Sequence, residues 1–507
     1  MRRFRGGSRP ASRKSVLPPA LQEIGAESQL RFSIIIADPG QADRSRDVLA
    51  KRMANELTIQ GGGRQLDVAS AFQPGSAAVL RPLNVLNRAG IAVASVEVFG
   101  LVTEISDDAL REVVHDWAVR GNTGPYRRRV ERLAGPLLLD RCLAAAEAAE
   151  RIREADAAAW RFAVGCVAFN TPGAEARLLD EAVSSDERGA TALVNAAYDR
   201  VQLARLAGLT IDVPPGSILA ALGRRGYVAE RAAQLASLLP APLDDVVTEG
   251  LRDLADRGDE AAPAALTALR AAAPTRRVRA TCDAALDSGN ANIRGAALAL
   301  LARHWPDDAR PVWREFLAST SGPLRWTAEA VISEYGTTED LPDAAAHLAT
   351  LIRARQAISM SPPRGSSLVN LLIRHREHPV AGVALDDLTA RWSRLSDDMR
   401  SWLAEQHPWL VPAAVATNDE QSDAVPDELL TWPPPSVERD GSSFLLIFDE
   451  DGAHHPVRGR FEELAEHHPS VEVLDGDREW LSVAIATAQP DALVRELWSA
   501  ASDGDQP

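Results

Sequence analysis

The stretch ANIRGAALALLARH at residues 291–304 recurs 31 residues later as GPLRWTAEAVISEY at residues 322–335. The same shift of 31, applied to residues 228–352, brings similar residues into five columns. The columns are Leu235, Leu266, Ala297 and Ala328; Leu238, Leu269, Leu300 and Val331; Leu251, Cys282, Trp313 and Ala344; Leu254, Ala285, Phe316 and His347; and Ala255, Leu286, Leu317 and Leu348. Self-similarity with a period of about 20 to 50 residues is typical of a solenoid, because one unit cannot bury its apolar face until a neighbour stacks on it.

Each unit contains the pattern of two helices. Ile293, Ala297 and Leu301 fall at i, i+4 and i+8, which is one face of a helix with 3.6 residues per turn. Pro311 recurs as Pro342 near the start of the second helix, where a missing backbone N–H costs little. We therefore predict a mainly α fold, an α-solenoid of helical hairpins.

A short motif adds a family resemblance. Arg294 and Arg325 lie early in the first helix of their units, and with this unit length and the recurring proline they resemble a HEAT repeat. The resemblance is confined mainly to residues 228–352, and the first two units depart from it because Ala232 and Pro263 stand in the arginine column. HEAT-like repeats form helical-hairpin solenoids that mostly serve as protein-binding scaffolds, so the resemblance implies that role.

The composition is that of an ordinary soluble protein, with 46% hydrophobic and 25% charged residues. Lysine occurs only as Lys14 and Lys51 among many arginines, which indicates the GC-rich codon usage of a high-GC bacterium. The three cysteines form no C-x-x-C pair, which favours a reducing compartment. Neither a secretory leader nor a long apolar run is evident, so we expect a cytoplasmic protein without a membrane anchor.

The net charge of −16 is concentrated at one end of the chain. Residues 414–507 hold 21 Asp or Glu and 5 Arg, and the first 413 residues are neutral. Such an acidic segment disfavours nucleic acid and anionic membranes as partners, and it suits a basic protein surface or simple solubility.

Composition and pattern divide the chain into five parts. They are a basic disordered tail at 1–29, a small α/β domain at 30–125, the HEAT-like helical array at 126–413, an acidic Pro-rich linker at 414–442, and a β-α-β-β-α module of ferredoxin-like kind at 443–502.

The α/β domain is predicted to alternate strands and helices. Strands are expected at 30–37, 65–72 and 91–101, with a helix over 41–59 and a helix capped by Ser106. Loops after strand ends in such sheets often bind a ligand, which makes them the place to look for one. The run 61–63 (GGG) follows a helix and lacks a phosphate-loop motif, so we interpret it as a turn and helix stop.

No catalytic, cofactor or metal signature emerges, and we expect no cofactor. Cys282, Trp313 and His347 occupy columns that hold Leu, Ala or Phe in other units, so packing explains them. The histidine pairs at 375/378, 454/455 and 467/468 are interpreted as surface residues.

Two further patterns concern residues 126–226. The cluster Tyr126, Arg127, Arg128, Arg129 and Arg132 is interpreted as an exposed helix start. The following segment is predicted to be helical, with a set of candidate buried residues. They are Leu137, Leu138, Cys142, Leu143, Ile152, Trp160, Val164, Val167 and Ala168.

These observations favour a non-catalytic scaffold or adaptor that binds a protein partner. The candidate interaction surface is a set of arginines in the repeats: Arg276, Arg277, Arg279, Arg294, Arg310, Arg314 and Arg325. One alternative is a ligand-sensing or enzymatic α/β domain with the repeats as a regulatory arm. A second is an acidic C-terminal module that folds back and masks the repeats. A nucleic-acid-binding HEAT-like protein is the weakest, because the first 413 residues carry no net positive charge.

Overall fold

The structure is a computed structural model in which the described residues are 17–22, 29–53, 56–70, 75–120, 125–152, 157–319, 321–353, 363–412, 435–440, 443–448, 457–476, 480–487 and 489–503. Of the predicted basic disordered tail at 1–29, the structure describes residues 17–22, which include a short helix, and residue 29, and most of the predicted linker lies outside the described residues. The chain divides into two compact units, residues 1–340 and 341–507.

The first unit opens with a short helix and a four-stranded antiparallel sheet. Its elements are α1 (Pro19–Gln22), β1 (Leu30–Ile36), α2 (Ala42–Arg52), β2 (Leu57–Gln60), β3 (Gln65–Ser70), α3 (Gly75–Arg88) and β4 (Val93–Val98). The strand order β2-β3-β1-β4, with every neighbouring pair antiparallel, is the ferredoxin-like β-α-β-β-α-β topology. The expected small sheet with covering helices is therefore present.

The sequence prediction was wrong about the middle of this domain. The helix expected over 41–59 ends at Arg52, and Leu57–Gln60 forms the edge strand β2. The glycine run 61–63 is the β2–β3 connection rather than a helix stop. Gly61 has φ of +98°, and a Cβ added to it would lie only 2.7 Å from Gln65 O. Because the sheet is antiparallel, the argument for a ligand cleft at the ends of parallel strands does not apply here.

The helical layer of this sheet is buried against the helices that follow. Phe169 and Leu203 belong to the same apolar core as Phe32, Ile34 and Leu83. Ser76 Oγ also donates to the Asp199 carboxylate over 2.6 Å. The N-terminal sheet is therefore fixed to the helical array through a shared core.

Helices make up the rest of the first unit. They are α4 (Asp107–Arg120), α5 (Pro125–Glu131), α6 (Pro136–Ile152), α7 (Ala157–Phe169), α8 (Ala174–Ser184), α9 (Glu187–Leu206), α10 (Pro215–Leu222), α11 (Tyr227–Ala236), α12 (Asp245–Asp256), α13 (Ala262–Ala268), α14 (Arg276–Leu286), α15 (Ala291–His304), α16 (Pro306–Ala318) and α17 (Gly322–Tyr335). Ser106 Oγ accepts from the Ala109 N–H at the start of α4, which confirms the predicted cap.

From α7 onward the helices form two layers. The first layer contains α7, α9, α11, α13, α15 and α17, each packed on the next. The second layer contains α8, α10, α12, α14 and α16, each packed on the first-layer helix that follows it. Successive hairpins that contact mainly their neighbours are the defining arrangement of an α-solenoid, so the predicted fold class is confirmed.

The repeat columns form the interior of this array. Leu235, Leu266, Ala297 and Ala328 are all 0% exposed, and Cys282 and Trp313 are equally buried. The prediction of core positions for Cys282 and Trp313 is therefore confirmed. One buried-face prediction was wrong, since Leu137 in the first turn of α6 is 75% exposed while Leu138 beside it is buried.

The second unit begins with four helices. They are α18 (Leu341–Arg353), α19 (Ser366–Arg374), α20 (Pro379–Ala390) and α21 (Asp397–Gln406). Helices α18, α19 and α20 pack on one another, with Leu348, Leu368 and Leu388 buried among them. His378 is not simply a surface residue, because its Nδ1 accepts from the Val380 N–H and caps α20.

The second unit ends in a small module with its own sheet. Its elements are β5 (Ser436–Asp440), β6 (Ser443–Ile447), α22 (Val457–His467), β7 (Val471–Gly476), β8 (Trp480–Ile485) and α23 (Pro490–Asp503). The segment β6-α22-β7-β8-α23 is the predicted β-α-β-β-α order.

A strand from the predicted linker completes this sheet. The strand order is β5-β6-β8-β7, and all neighbours are antiparallel. In a ferredoxin-like sheet the edge position beside the first strand is filled by a strand that follows the last helix. Here β5, which precedes β6 in the chain, fills that position. The module is therefore a circularly permuted version of the fold at the N-terminus.

Candidate interaction surface

The seven arginines predicted as an interaction surface lie on four consecutive helices. Arg276, Arg277 and Arg279 are on α14, Arg294 is on α15, Arg310 and Arg314 are on α16, and Arg325 is on α17. The structure therefore distributes them over both layers, and several of them contact acidic side chains of neighbouring repeats.

Arg310 makes the most buried of these contacts. Its Nε donates to Asp340 over 3.0 Å, and Asp340 is completely buried. The same carboxylate accepts from the backbone N–H of Thr337 over 2.9 Å and from its hydroxyl over 3.2 Å. Desolvation opposes the charge of Arg310, but the hydrogen bond to Asp340 and the neighbouring acids outweigh it and raise the pKa of the guanidinium.

Arg279 repeats this arrangement one unit earlier. It pairs with Asp283 over 2.8 Å on its own helix and with Asp308 on α16. Its guanidinium carbon also lies 5.2 Å from the centre of the Trp305 ring. The hydrogen bonds to Asp308 and Asp283 raise the pKa of Arg279, so the group is a fixed cation between two repeats.

Two further members of the set are also paired. Arg277 contacts Glu249 on α12 over 3.2 Å, and Arg294 contacts Glu315 on α16 over 2.9 Å. Arg294 additionally donates to the Leu286 carbonyl over 3.1 Å. Arg277–Glu249 joins adjacent repeats and Arg294–Glu315 joins the two helices of one repeat, so most of the seven charges are part of the array's own ion-pair network.

The second layer carries an open groove beside this network. It lies between α12 and α14, with a volume of about 520 Å³. Its lining residues are Arg252, Ala255, Asp256, Gly258, Ala280, Thr281, Ala284, Ala285, Ser288 and Ile293. The exposed positions Ala280 and Ala284 keep it open, because their side chains stop at Cβ.

The groove has a polar rim on the α12 side. Arg252 is held by Glu249 over 2.5 Å and by the Thr281 hydroxyl over 3.2 Å. Asp256, one turn further along α12, is exposed. The groove therefore combines a small-residue floor with an exposed carboxylate at its edge.

Two exposed apolar side chains lie on α10 and at the start of α12. Leu219 is 40% exposed and Val246 is 47% exposed. Gly250 on α12 lets α10 and α12 approach closely, because a Cβ added to it would lie 2.6 Å from Leu219 Cδ1. We call the surface formed by Leu219, Val246 and the α12–α14 groove the second-layer surface.

A second groove lies among the first helices of the array. It has a volume of about 520 Å³ between α6, α7, α8 and α9. Its charged residues are mostly paired with one another, as in Arg161–Glu150 at 2.7 Å and Arg177–Glu181 at 2.8 Å. This groove is thus lined mainly by charges that neutralise one another.

The basic cluster at residues 126–132 was interpreted wrongly as exposed. Arg128 is 5% exposed and pairs with Glu131, 3% exposed, over 2.5 Å. Arg127 pairs with the same carboxylate over 2.8 Å. The signal was present in the sequence, because Glu131 stands three and four residues after the two arginines, the spacing of ion pairs on a helix.

The thiols of Cys282 and Cys142 lie in the core. Burial raises the pKa of Cys282 to about 12, and its Sγ lies 3.2 Å from the Ala297 carbonyl oxygen. Burial likewise raises the pKa of Cys142 to about 12. Such thiols stay protonated and unreactive at neutral pH.

Three remaining features concern a histidine pair, metal ligands and membrane-spanning helices. His454 and His455 lie outside the described residues. Within the described part of the chain, no three His, Cys, Asp or Glu side chains converge in the way that metal ligands do. No helix there is both long and apolar enough to cross a bilayer.

Comparison with known proteins adds little to this picture. No protein-family model matches the chain, and no curated protein does. Among solved structures, the crystal structure of Kap121p bound to Pho4p is similar over 84% of this chain, with 12% sequence identity and a TM-score of 0.31. The match covers 43% of that chain, so this protein spans less than half of its length. The helical-repeat architecture is established here by the repeat columns and the two-layer packing.

Proposed function

We propose that this chain is a non-catalytic protein-interaction scaffold, and that a partner segment binds along the second-layer surface. The observation that carries the proposal is the open groove between α12 and α14, continued by exposed Leu219 and Val246. Exposed apolar side chains next to a polar rim are typical of protein-binding sites.

The lining defines the chemistry of the partner segment. Ala280 and Ala284 leave room for aliphatic side chains of the partner, which would be removed from water against the buried Ile293. Asp256 at the rim suits a Lys or Arg of the partner. Arg276, exposed on α14, extends the surface with positive charge and suits an acidic residue further along the segment.

The ion pairs support this role by holding the surface in shape. Contacts such as Arg277–Glu249 and Arg279–Asp308 connect neighbouring second-layer helices. A binding surface that is ordered before the partner arrives loses less conformational entropy on association. The seven predicted arginines would then act mainly as the frame of the site, with Arg276 as a direct contact.

A substitution that fills the groove tests the proposal. We expect Ala284→Trp, at an exposed position, to leave the fold intact and to block the groove. Ala318→Trp is the matched control, because Ala318 is also an exposed second-layer alanine and lies outside the groove. Point variants are preferable to deleting residues 1–125, since that domain shares its core with α7 and α9.

The measurement is quantitative affinity capture with the full chain and its two variants, followed by binding of the purified candidate partner. We expect a partner whose affinity falls at least about tenfold with Ala284→Trp and stays unchanged with Ala318→Trp. If every captured protein binds the wild-type chain and Ala284→Trp equally well, the second-layer surface is not the binding site.

A further inference from the structure

The two ferredoxin-like sheets of this chain differ in the face turned away from their helices. In the N-terminal sheet that face is polar and carries one large aliphatic side chain, Ile35. Its residues are Arg31, Ser33, Ile35, Thr58, Gln60, Gln65, Asp67, Ala69, Ser95 and Glu97. This is the usual composition of a sheet face exposed to water.

The corresponding face of the C-terminal sheet is apolar at its centre. Leu445 and Ile447 alternate with Leu446, whose side chain is in the core on the helical side. Neither Leu445 nor Ile447 belongs to that core among the described side chains, and both are half-buried. Ser482 and Ala484 lie on the same face of β8, with Ser482 directly opposite Leu445, and Leu474 at the bulge of edge strand β7 is 49% exposed.

Acidic side chains flank this apolar centre. Glu438 on β5 is directly opposite Leu445, and Glu472 on β7 is directly opposite Ala484. The face therefore has two large aliphatic side chains on the central strand β6 and a carboxylate on each outer strand. We call these residues the outer sheet face: Leu445, Ile447, Ala484, Glu438 and Glu472.

We propose that the outer sheet face docks a basic amphipathic helix of a partner protein. Its aliphatic side chains would pack on Leu445 and Ile447, and its Lys or Arg side chains would pair with Glu438 and Glu472. The choice of a basic partner follows from charge, because residues 414–507 contain 21 acidic residues and 5 arginines. A second copy of this chain would bring the same excess of negative charge, so self-association through this face is disfavoured.

This contact is separate from the second-layer surface and does not rest on it. The repeats would bind one segment through an alanine-floored groove, while the module binds another through a sheet face. An adaptor with two independent binding faces gains avidity when both are engaged.

A designed peptide tests the proposal in the full chain. The probe is an 18-residue helical peptide of about equal Leu and Arg content with Leu at i, i+3, i+4 and i+7, and the comparison peptide has the same residues in scrambled order. The test variant is Leu445→Thr/Ile447→Thr, which places Thr, a β-branched residue suited to strands, at both positions. The matched control is Ile35→Thr, on the equivalent face of the N-terminal sheet.

We expect the double variant to weaken binding of the amphipathic peptide at least about tenfold, and Ile35→Thr to leave it unchanged. The scrambled peptide should bind wild type and double variant alike. Equal binding of the amphipathic peptide to wild type and double variant overturns the proposal, as does an equal loss with Ile35→Thr.

A charge variant keeps the test decisive if the double variant fails to fold. We expect Glu438→Gln/Glu472→Gln to weaken binding at about 0.05 M salt and to approach wild type at about 0.5 M, where charges are screened over a few ångströms. Unchanged binding at low salt contradicts the proposal. Concentration-dependent dimerisation that is abolished by Leu445→Thr/Ile447→Thr would assign the face to a second copy and would also overturn it.

Discussion

Arg310 and Glu339 form an ion pair whose equivalent is found one repeat earlier in the array. Arg310 Nε donates to the buried Asp340 over 3.0 Å, and Arg310 also reaches Glu339 over 3.1 Å. One repeat earlier, Arg279 contacts Asp308, and the shift of 31 that relates Arg279 to Arg310 also relates Asp308 to Glu339. The same ion pair therefore connects successive repeats at equivalent positions, and it contributes to the interface on which solenoid stability depends.

Asp340→Ala should destabilise this end of the repeat array. The substitution removes the buried acceptor of Arg310 and leaves the N–H of Thr337 unpaired, while Glu339 still pairs with the guanidinium, so we expect a loss of about 2 kcal/mol in the free energy of unfolding. Urea unfolding, combined with hydrogen exchange over α16 and α17, measures the loss and its location.

Asp307→Ala is the control for that experiment. Asp307 contacts the same arginine at 3.5 Å, but its side chain is 90% exposed. An exposed ion pair is worth less than about 1 kcal/mol, so we expect little change. Equal effects of the two substitutions would show that burial of Asp340 does not govern the contact.

Two glycine-to-alanine substitutions should have opposite signs. Gly295 lies within α15 where an added Cβ would be 2.8 Å from Thr327 Oγ1 of α17, and that hydroxyl is engaged with the Pro323 carbonyl over 3.0 Å. Gly165 lies within α7 with no atom within 4 Å of the added Cβ. We expect Gly165→Ala to stabilise by about 0.5–1 kcal/mol and Gly295→Ala to destabilise by about 1 kcal/mol or more.

Thermal or urea unfolding of the two variants provides the measurement. Removing the obstructing hydroxyl and methyl with Thr327→Ala in the Gly295→Ala background should recover stability. If Gly295→Ala instead stabilises the chain as Gly165→Ala does, the α15–α17 contact is looser than the structure describes.

Asp199 makes the stability of the folded chain depend on pH. Burial raises its pKa, and the hydrogen bond from Ser76 and the charge of Arg231 reduce the shift without cancelling it. The folded state thus holds the proton more strongly than the unfolded state, whose ordinary value is 3.8. This residue therefore makes stability rise as pH falls through its folded pKa towards that value.

Asp199→Asn should flatten this dependence, because the amide has no charge to desolvate and its oxygen can still accept from Ser76. We expect the variant's advantage over wild type to be greatest at neutral pH and to shrink as the pH is lowered. Ser76→Ala should steepen the dependence, since it removes the hydrogen bond that favours the carboxylate. Unfolding midpoints between about pH 4 and pH 7 test both signs, and a pH-independent difference for Asp199→Asn would contradict the assignment.

The core of the array was predictable from sequence because its buried positions recur as apolar residues at a fixed spacing. Leu266, Ala297 and Trp313 stand in columns that recur every 31 residues, and each is fully buried. The ion pairs were less predictable from the sequence. Arg279 and Asp308 recur 31 residues later as Arg310 and Glu339, so this pattern was present in the sequence. Nothing in the sequence showed that Arg279 contacts an acid 29 residues away.

The errors arose where a short pattern fits two structures. Leu57 and Ile59 continue the apolar face of the preceding helix and also alternate as a strand, and pairing with β3 decided for the strand. Ser436–Asp440 follows a proline run and carries three charged residues, so its strand became evident only from its pairing with β6. Leu137 has the composition of a core residue, but it falls in a helical turn that faces solvent.

Polar contacts around Glu131 and Arg128 connect the N-terminal sheet to the array. Glu131 accepts from Arg127 and Arg128, Arg128 also donates to the Ser70 carbonyl at the end of β3 over 3.4 Å, and Asn170 donates to the Glu131 carbonyl over 2.8 Å. Glu131→Ala would leave the buried Arg128 without its carboxylate, and we expect a loss of about 3–5 kcal/mol with faster hydrogen exchange in β3 and α7.

The matched control is Glu147→Ala, which removes a carboxylate 3.1 Å from Arg151 where both side chains are about 70% exposed, and a change below about 0.5 kcal/mol is expected there. Glu131→Gln should lie between the two, because its amide oxygen still accepts one hydrogen bond but no longer neutralises Arg128. If Glu131→Ala resembles the control, Arg128 has an alternative acceptor and the shared apolar core alone fixes the sheet to the helices. If exchange rises in β3 and α7 together, the buried ion pair is required for that attachment.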